Sequence, residues 1–177
     1  GVRHCPTDRR SRRYPLDRRN PERHQDIVTA YVELGDQDQA SDELRRLGQL
    51  YGPGSEWLAE QQRLGNQEAI EYASTLAQQA LIESANYAYV EAEELRQEGL
   101  MNDDPIALAG AAERFAGAAR LYQQFLEQYP NVDAAYEIRL YYAQALRFAE
   151  DYQRAAEQFV AVRDSQFSDQ FQQTAAN

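Results

Sequence analysis

The chain has 177 residues, 43 % of them apolar and 27 % charged, with a formal net charge of −11. That is enough for one domain or one run of repeats with a true core. No run approaches 18 consecutive apolar residues, so no segment reads as a membrane-spanning helix. The single cysteine, Cys5, forms no internal disulfide.

Nine glycines and six prolines stand among abundant Ala, Gln, Glu and Leu, a mixture that favours helix almost throughout. All 18 basic residues are Arg. Residues 1–24 hold eight Arg against Asp8, Asp17 and Glu22, a net of +5, so the remaining 153 residues carry −16. This opening stretch also holds both His, the Cys and three of the six Pro, and it lacks a helical apolar period. Residues 1–21 therefore read as an irregular, Arg-rich leader. The run from Arg9 to Arg13 has the composition of a phosphate-binding arm. However, the acidic body would repel a nucleic-acid backbone, and no aromatic residue interleaves the run as a stacking platform requires.

From residue 22 the pattern becomes helical. Ile27, Val28, Tyr31 and Leu34 recur at helical spacing, and Gly35-Asp36 breaks the run. Ala40, Leu44, Leu47 and Leu50 resume it, until Gly52-Pro53-Gly54 ends the unit. Residues 22–54 thus form a helix–turn–helix. Trp57, Leu58 and Leu64 predict a short helix ending at Gly65-Asn66. A long uninterrupted helix follows from residue 67 to about 98, with a seam at Ala69, Ala73, Leu76, Ala80, Ser84, Tyr87, Glu91 and Leu95, in which Glu91 is the misfit.

Asp103 or Asp104 caps the next helix, with Pro105 at its first position. That helix carries Leu108, Ala112, Phe115, Ala119, Tyr122, Leu126 and Tyr129 in alternating steps of four and three, a heptad seam. The short link predicts that residues 67–98 and 105–129 run antiparallel. Tyr136, Leu140, Ala143 and Leu146, the turn Ala149–Tyr152, and Ala155, Phe159 and Val162 form a last pair of stripes. After Asp164 a further first helix is expected to begin near Ser168. It would belong to an incomplete unit over 165–177, leaving Phe159, Val160 and Phe167 at an open edge.

Three second helices share the pattern Ala, then a large residue four positions on, then another three beyond it, from Ala40, Ala118 and Ala155. Spacings of 78 and 37 residues are close to two periods and one period of a helical repeat. In "ELGDQDQASDEL", "RFAEDYQRAAEQF" and "FLEQYPN" the chain resembles the tetratricopeptide repeat (TPR). The junction "QYPNVDAAYEIRLYYAQAL" looks like repeats of bacterial envelope members of the TolA-binding coordinator and BamD type. The resemblance covers residues 22–52 and about 113–164. Glu150 stands where the repeat usually has Gly.

The fold expected is all-α: a TPR-like α-solenoid of helix–turn–helix repeats, with an extended antiparallel αα-hairpin in the middle. Its segments are 1–21, 22–54, a degenerate repeat with the long helix at 55–104, 105–164 and 165–177.

Groups arranged for chemistry are scarce. His4 and His24 lie in or beside the leader and have no partner at i+4 to complete a metal site. Cys5 has no base nearby on a defined scaffold. Gly110 and Gly117 fall inside a helix, where close packing explains them. Glu93-Glu94 reads as a solvated helix face.

The expectation is therefore a non-enzymatic scaffold or adaptor without cofactor or metal, and without nucleic-acid or small-molecule substrate. It would act in a bacterial cell-envelope assembly, at the periplasm or outer membrane, with the cytoplasm as the other location considered. By the resemblance, first helices line a concave groove for a protein partner. This implies contacts from Glu137, Leu140, Tyr141, Gln144, Arg147 and Phe148 in the last unit, and from Gln25, Thr29, Val32 and Glu33 in the first. The alternative is a structural spacer or a self-associating subunit.

Overall fold

A computed structural model describes residues 14–164. They form seven α-helices and no strand, so the chain is all-α over the described residues. In chain order the helices are α1 Asn20–Glu33, α2 Gln37–Tyr51, α3 Glu56–Leu64, α4 Gln67–Asn102, α5 Pro105–Gln128, α6 Ala135–Phe148 and α7 Tyr152–Arg163. The expected leader (residues 1–13) and the helix expected near Ser168 lie outside the described residues. The chain divides into two compact units at Ser84 and Ala85, inside α4.

Four helix ends share one turn. The amide of Asp36 donates to the Tyr31 carbonyl, Asn66 to Gln61, Asp104 to Gly99 and Asp151 to Leu146, at 2.9–3.0 Å. Each closes a six-residue loop around a left-handed residue: Gly35 (φ 72°), Gly65 (70°), Asp103 (51°) and Glu150 (63°). A second amide bond inside the loop completes the Schellman pattern at Gly35, Gly65 and Glu150, and satisfies carbonyls that the helix end leaves open. The residue after the left-handed one then caps the next helix at three of these turns. Asp36 Oδ1 accepts from Gln39 N, Asp104 Oδ1 from Ile106 N and Ala107 N, and Asp151 Oδ1 from Arg154 N.

In the first unit, α1 packs on α2 and α2 on α3. The core is Val28, Ala40, Leu44, Leu47, Tyr51 and Trp57, with Ala73, Leu76, Ala77, Ala80 and Leu81 from α4. α2 meets α4 closely because Gly48 faces Leu81; a Cβ there would lie 3.2 Å from Leu81 Cδ1. Two expected core positions are corrected. Leu34 lies past the end of α1 and is 77 % exposed, and Leu50 is exposed while its neighbour Tyr51 is buried. The helical period was right, but at the C-terminus of α2 the inward face had advanced by one residue.

The stretch before α1 is not a free leader over its described part. α1 begins two residues before the expected boundary, at Asn20, and four consecutive carbonyls ahead of it are captured by side chains. Asn20 Nδ2 donates to the Tyr14 and Pro15 carbonyls at 2.8 and 3.0 Å, Gln61 Nε2 to Leu16 at 2.8 Å, and Trp57 Nε1 to Asp17 at 2.9 Å. Asn20 and Gln61 are fully buried, which is tolerable because their amides are bonded.

In the second unit, α4 and α5 are continuous helices. Their contacts run in opposite chain order: Asn86 with Tyr122, Tyr89 with Phe115, Leu95 with Gly110 and Gly99 with Leu108. The expected antiparallel hairpin is therefore present as a pairing of these two helices. Its seam on α4 differs from the expected one beyond Ser84. Glu91 is exposed and Tyr87 half-buried, while Ala85, Ala92 and Gly99 are buried. Steps of seven replace the predicted line, so Glu91 was a misfit because it faces water.

α5 buries two adjacent lines, Ala111, Ala118 and Phe125 beside Phe115, Ala119, Tyr122, Leu126 and Tyr129. α6 packs on α5 and α7 on α6. The inward residues of α6 are Ala135, Ile138, Tyr142, Ala143, Ala145 and Leu146, whereas the expected Tyr136 and Leu140 are half-buried. Only Ala155 of α7 is buried; Phe159 and Val162 are half-buried and Val160 is exposed.

Gly99 is required by close approach. A Cβ would stand 2.9 Å from Leu108 Cγ and 3.1 Å from the Leu108 backbone nitrogen, which cannot rotate away. Gly99→Ala gains about 1 kcal/mol in helix propensity and loses about 1–3 kcal/mol to overpacking. We expect net destabilisation in urea unfolding. Glu150→Gly should act in the opposite sense, stabilising by about 1 kcal/mol because glycine adopts a left-handed conformation without strain.

Candidate functional site

The six residues expected on the last first helix fall on one side of α6. Glu137 and Arg147 are exposed, and Leu140, Tyr141, Gln144 and Phe148 are half-buried. The helical period accounts for this, since residues 137, 140, 141, 144, 147 and 148 form one i, i+3, i+4 stripe.

Two members double as packing residues. Tyr141 stacks on Tyr122 of α5 at 6.1 Å and donates its hydroxyl to Glu137 Oε1 at 3.2 Å. Phe148 packs 4.8 Å from Phe115 and 6.5 Å from Tyr89. The guanidiniums of Arg96 and Arg147 lie 4.9 and 4.5 Å from its ring centre, within cation–π distance.

The structure thus adds Tyr89 and Arg96 of α4 to the stripe. Neither was expected there. Arg96 makes paired bonds to Glu93, which hold the Glu93 carboxyl below its usual range. Burial and then Glu93 raise the Tyr89 phenol, while Arg147 and Arg96 oppose the rise. Arg147 itself has no carboxylate within ion-pair distance among the described residues. The face therefore presents Tyr141 and Phe148 already ordered by packing beneath, with the Arg147 guanidinium over the Phe148 ring and outside any ion pair among the described residues.

In the first unit Thr29, Val32 and Glu33 are exposed and Gln25 is half-buried, all on α1. These belong to a different unit from the α6 stripe and are described with it alone.

His24 was assigned to the edge of the leader, but it is a buried residue of α1. Its Nε2 lies 2.8 Å from Glu43 Oε2 of α2, and its ring meets Tyr51 edge-on at 5.7 Å. Glu43 Oε1 in turn accepts from Arg46 at 2.7 Å. These residues form the polar side of a cleft of about 500 Å³ that the sequence reading missed. Its floor is Tyr51 and Trp57, in edge-to-face contact at 5.5 Å, and its walls include Leu16, Ile27 and the exposed Leu50. The sequence signal is Leu16, His24 and Leu50 around an aromatic pair; it is hidden because Leu16 falls in the stretch that reads as an irregular leader and Leu50 falls on the period of the core.

No group of three or more His, Cys, Asp or Glu residues that could hold a metal ion occurs among the described residues. No helix among them is long and apolar enough to cross a membrane. Comparison of the chain with protein-family models, with curated proteins and with solved structures gives no match.

Burial raises the phenols of Tyr51, Tyr122 and Tyr129 furthest. Tyr51, which Glu43 raises further, and Tyr129 are each pushed up to about 12, and Tyr122 is raised as well. Because the folded values lie above the unfolded value of 10.0, the fold favours the neutral phenols. Their contribution is complete below pH 10 and is lost as pH rises from 10 towards 12. Urea unfolding should show a steep fall in stability across that window, and Tyr51→Phe should make the fall shallower by up to about 1.4 kcal/mol per pH unit.

Proposed function

We propose that the chain is a non-enzymatic, tetratricopeptide-like scaffold that binds a protein partner on the α6 face of its second unit. The observation that carries the reading is the convergence of Tyr141, Arg147 and Phe148 with Tyr89 and Arg96. Aromatic residues and Arg dominate interface hot spots because they offer large contact area at little loss of side-chain freedom. Here Phe148 is held by Phe115 and Tyr141 by Tyr122, so both are ordered before any partner arrives. The repeat reading draws support from the α1–α2 and α6–α7 pairs, which share the same turn. The envelope setting, periplasmic or outer-membrane associated, rests on the resemblance of the residue 128–146 junction to envelope repeats.

A photo-crosslinking residue placed at Gln144, with a control at exposed Glu157 on α7, tests this in the source cell. A discrete protein adduct is expected at 144 and not at 157, reduced about tenfold or more by Arg147→Ser with Tyr141→Ala, in keeping with hot-spot losses of 2 kcal/mol or more. Equal adducts at both positions, or adducts indifferent to the substitutions, would remove the basis for the reading. A second reading, self-association, draws support from the exposed Leu100, Met101 and Ile106 at the α4–α5 turn.

A further inference from the structure

Four glycines lie inside helices among the described residues, and three of them are explained by what faces them. A Cβ at Gly48, Gly99 or Gly110 would stand 3.2, 2.9 or 3.3 Å from a leucine side chain of another helix. Gly117, in the middle of α5, is the exception. Its Cβ position has one neighbour within 4 Å, a guanidinium nitrogen of Arg120 on its own helix, at 3.7 Å. The close packing expected of both α5 glycines is therefore found at Gly110 and not at Gly117. Glycine weakens a helix interior relative to alanine, and no other helix of the chain uses the space that Gly117 leaves.

Gly117 lies in a shallow groove of about 550 Å³ on the α4–α5 hairpin. Three small residues line it, Ala88, Ala116 and Gly117, together with four charged ones, Glu91, Glu113, Arg114 and Arg120. None of the four forms an ion pair among the described residues. The groove is locally neutral on a chain whose net charge is −11, so a second copy meets no net repulsion there.

The charges are also placed symmetrically. α5 presents one outward line, Ala109, Glu113, Ala116, Gly117, Arg120 and Gln124, each exposed or half-buried. Its midpoint falls between Ala116 and Gly117. Glu113 lies as far before that midpoint as Arg120 lies after it, and Ala109 as far before it as Gln124 after. Glu113 and Arg120 of one helix stand about 10 Å apart along its axis and so cannot satisfy each other. Two such lines laid antiparallel place each Glu113 opposite the Arg120 of the other copy, with the small residues at the crossing.

We propose that α5 is the interface of a homodimer. The α5 helices of two copies cross antiparallel at Ala116 and Gly117, and Glu113 of each faces Arg120 of the other. The Arg120 guanidinium, which lies over Gly117 in the single chain, swings outward to reach Glu113 of the second copy. The small residues let the two backbones approach closely, as Gly48 and Gly99 do inside the chain. Both copies use the same surface, so the assembly closes at two.

Sedimentation velocity of the full chain, from micromolar to near-millimolar concentration, tests the proposal. A monomer–dimer equilibrium is expected, with no larger species. Gly117→Leu puts a side chain into the crossing, at a position that is open within the chain, so this variant should keep wild-type helical circular dichroism. It should associate about tenfold more weakly or worse, a change of about 1.4 kcal/mol or more. Glu113→Arg and Arg120→Glu should each weaken the dimer to a similar degree, because each sets like charges opposite one another twice. Both side chains are exposed, so folding is not at stake in these reversals. Mixed in equal amounts, the two reversal variants should recover a dimer, since every facing pair then joins opposite charges. A role confined to the fold of one chain would not produce that recovery. A wild-type chain that stays monomeric, one that grows beyond a dimer, a Gly117→Leu chain that associates like wild type, or a mixture no stronger than its components would each overturn the assignment. None of these outcomes bears on the α6 face, whose own test is independent.

Discussion

The structure depends on how closely other helices can approach α4. Along its inward side α4 carries Ala73, Ala77, Ala80, Ser84, Ala85, Ala92 and Gly99, all buried. Small side chains bring backbones together and leave room for large residues on the facing helix. In the first unit the roles reverse, with Gly48 of α2 making room for Leu81 of α4; in the second, Phe115 packs beside Ala92 and Tyr122 donates to Asn86 at the edge of the seam. Dispersion contacts are individually small, so a helix with short side chains gains stability only if its neighbours come close enough to make many of them. This explains why the seam tolerates no Cβ at position 99, and why a residue as small as Ser84 stands on the buried line.

The same constraint decided what could be read from the sequence. Helix identity and most boundaries were legible, because Gly35-Asp36 and Asp104-Pro105 combine a breaker with a cap and Gly65 breaks the chain ahead of α4. The shared turn was only half legible: two of its left-handed residues are Gly, but Asp103 and Glu150 adopt that conformation without the glycine that would announce it. The seam of α4 was legible to Ser84 and not beyond. An alanine-rich helix presents small residues on several faces, so periodicity alone does not select the buried line. Only the large residues opposite, Tyr89 over Phe115 and Leu95 beside Gly110, fix which one it is.

The α6 stripe could be laid out from its period, yet Tyr89 and Arg96 could not be added to it. They reach Phe148 from a helix about fifty residues earlier, and no local pattern encodes such a meeting. The first-unit cleft was hidden differently. Its walls come from Leu16, before the first helix, and from Leu50, which the periodic reading placed in the core. An apolar residue that falls on the expected period and still stays exposed is a stronger indication of an interface than one that fits no period.

The capture of the Tyr14, Pro15, Leu16 and Asp17 carbonyls by Asn20, Gln61 and Trp57 has a consequence for how this end of the chain would be observed. The fastening acts on acceptors, whereas isotope labelling of the backbone follows donors. Pro15 has no amide and Asp17 donates its own to the Tyr14 carbonyl at 3.1 Å, so rapid uptake would be confined to Tyr14 and Leu16. A protease, which must draw the strand out into its own cleft, would meet resistance from a buried indole and two buried carboxamides. The two measurements would disagree about the same few residues, and the disagreement would itself be the signature of a segment held by its oxygens.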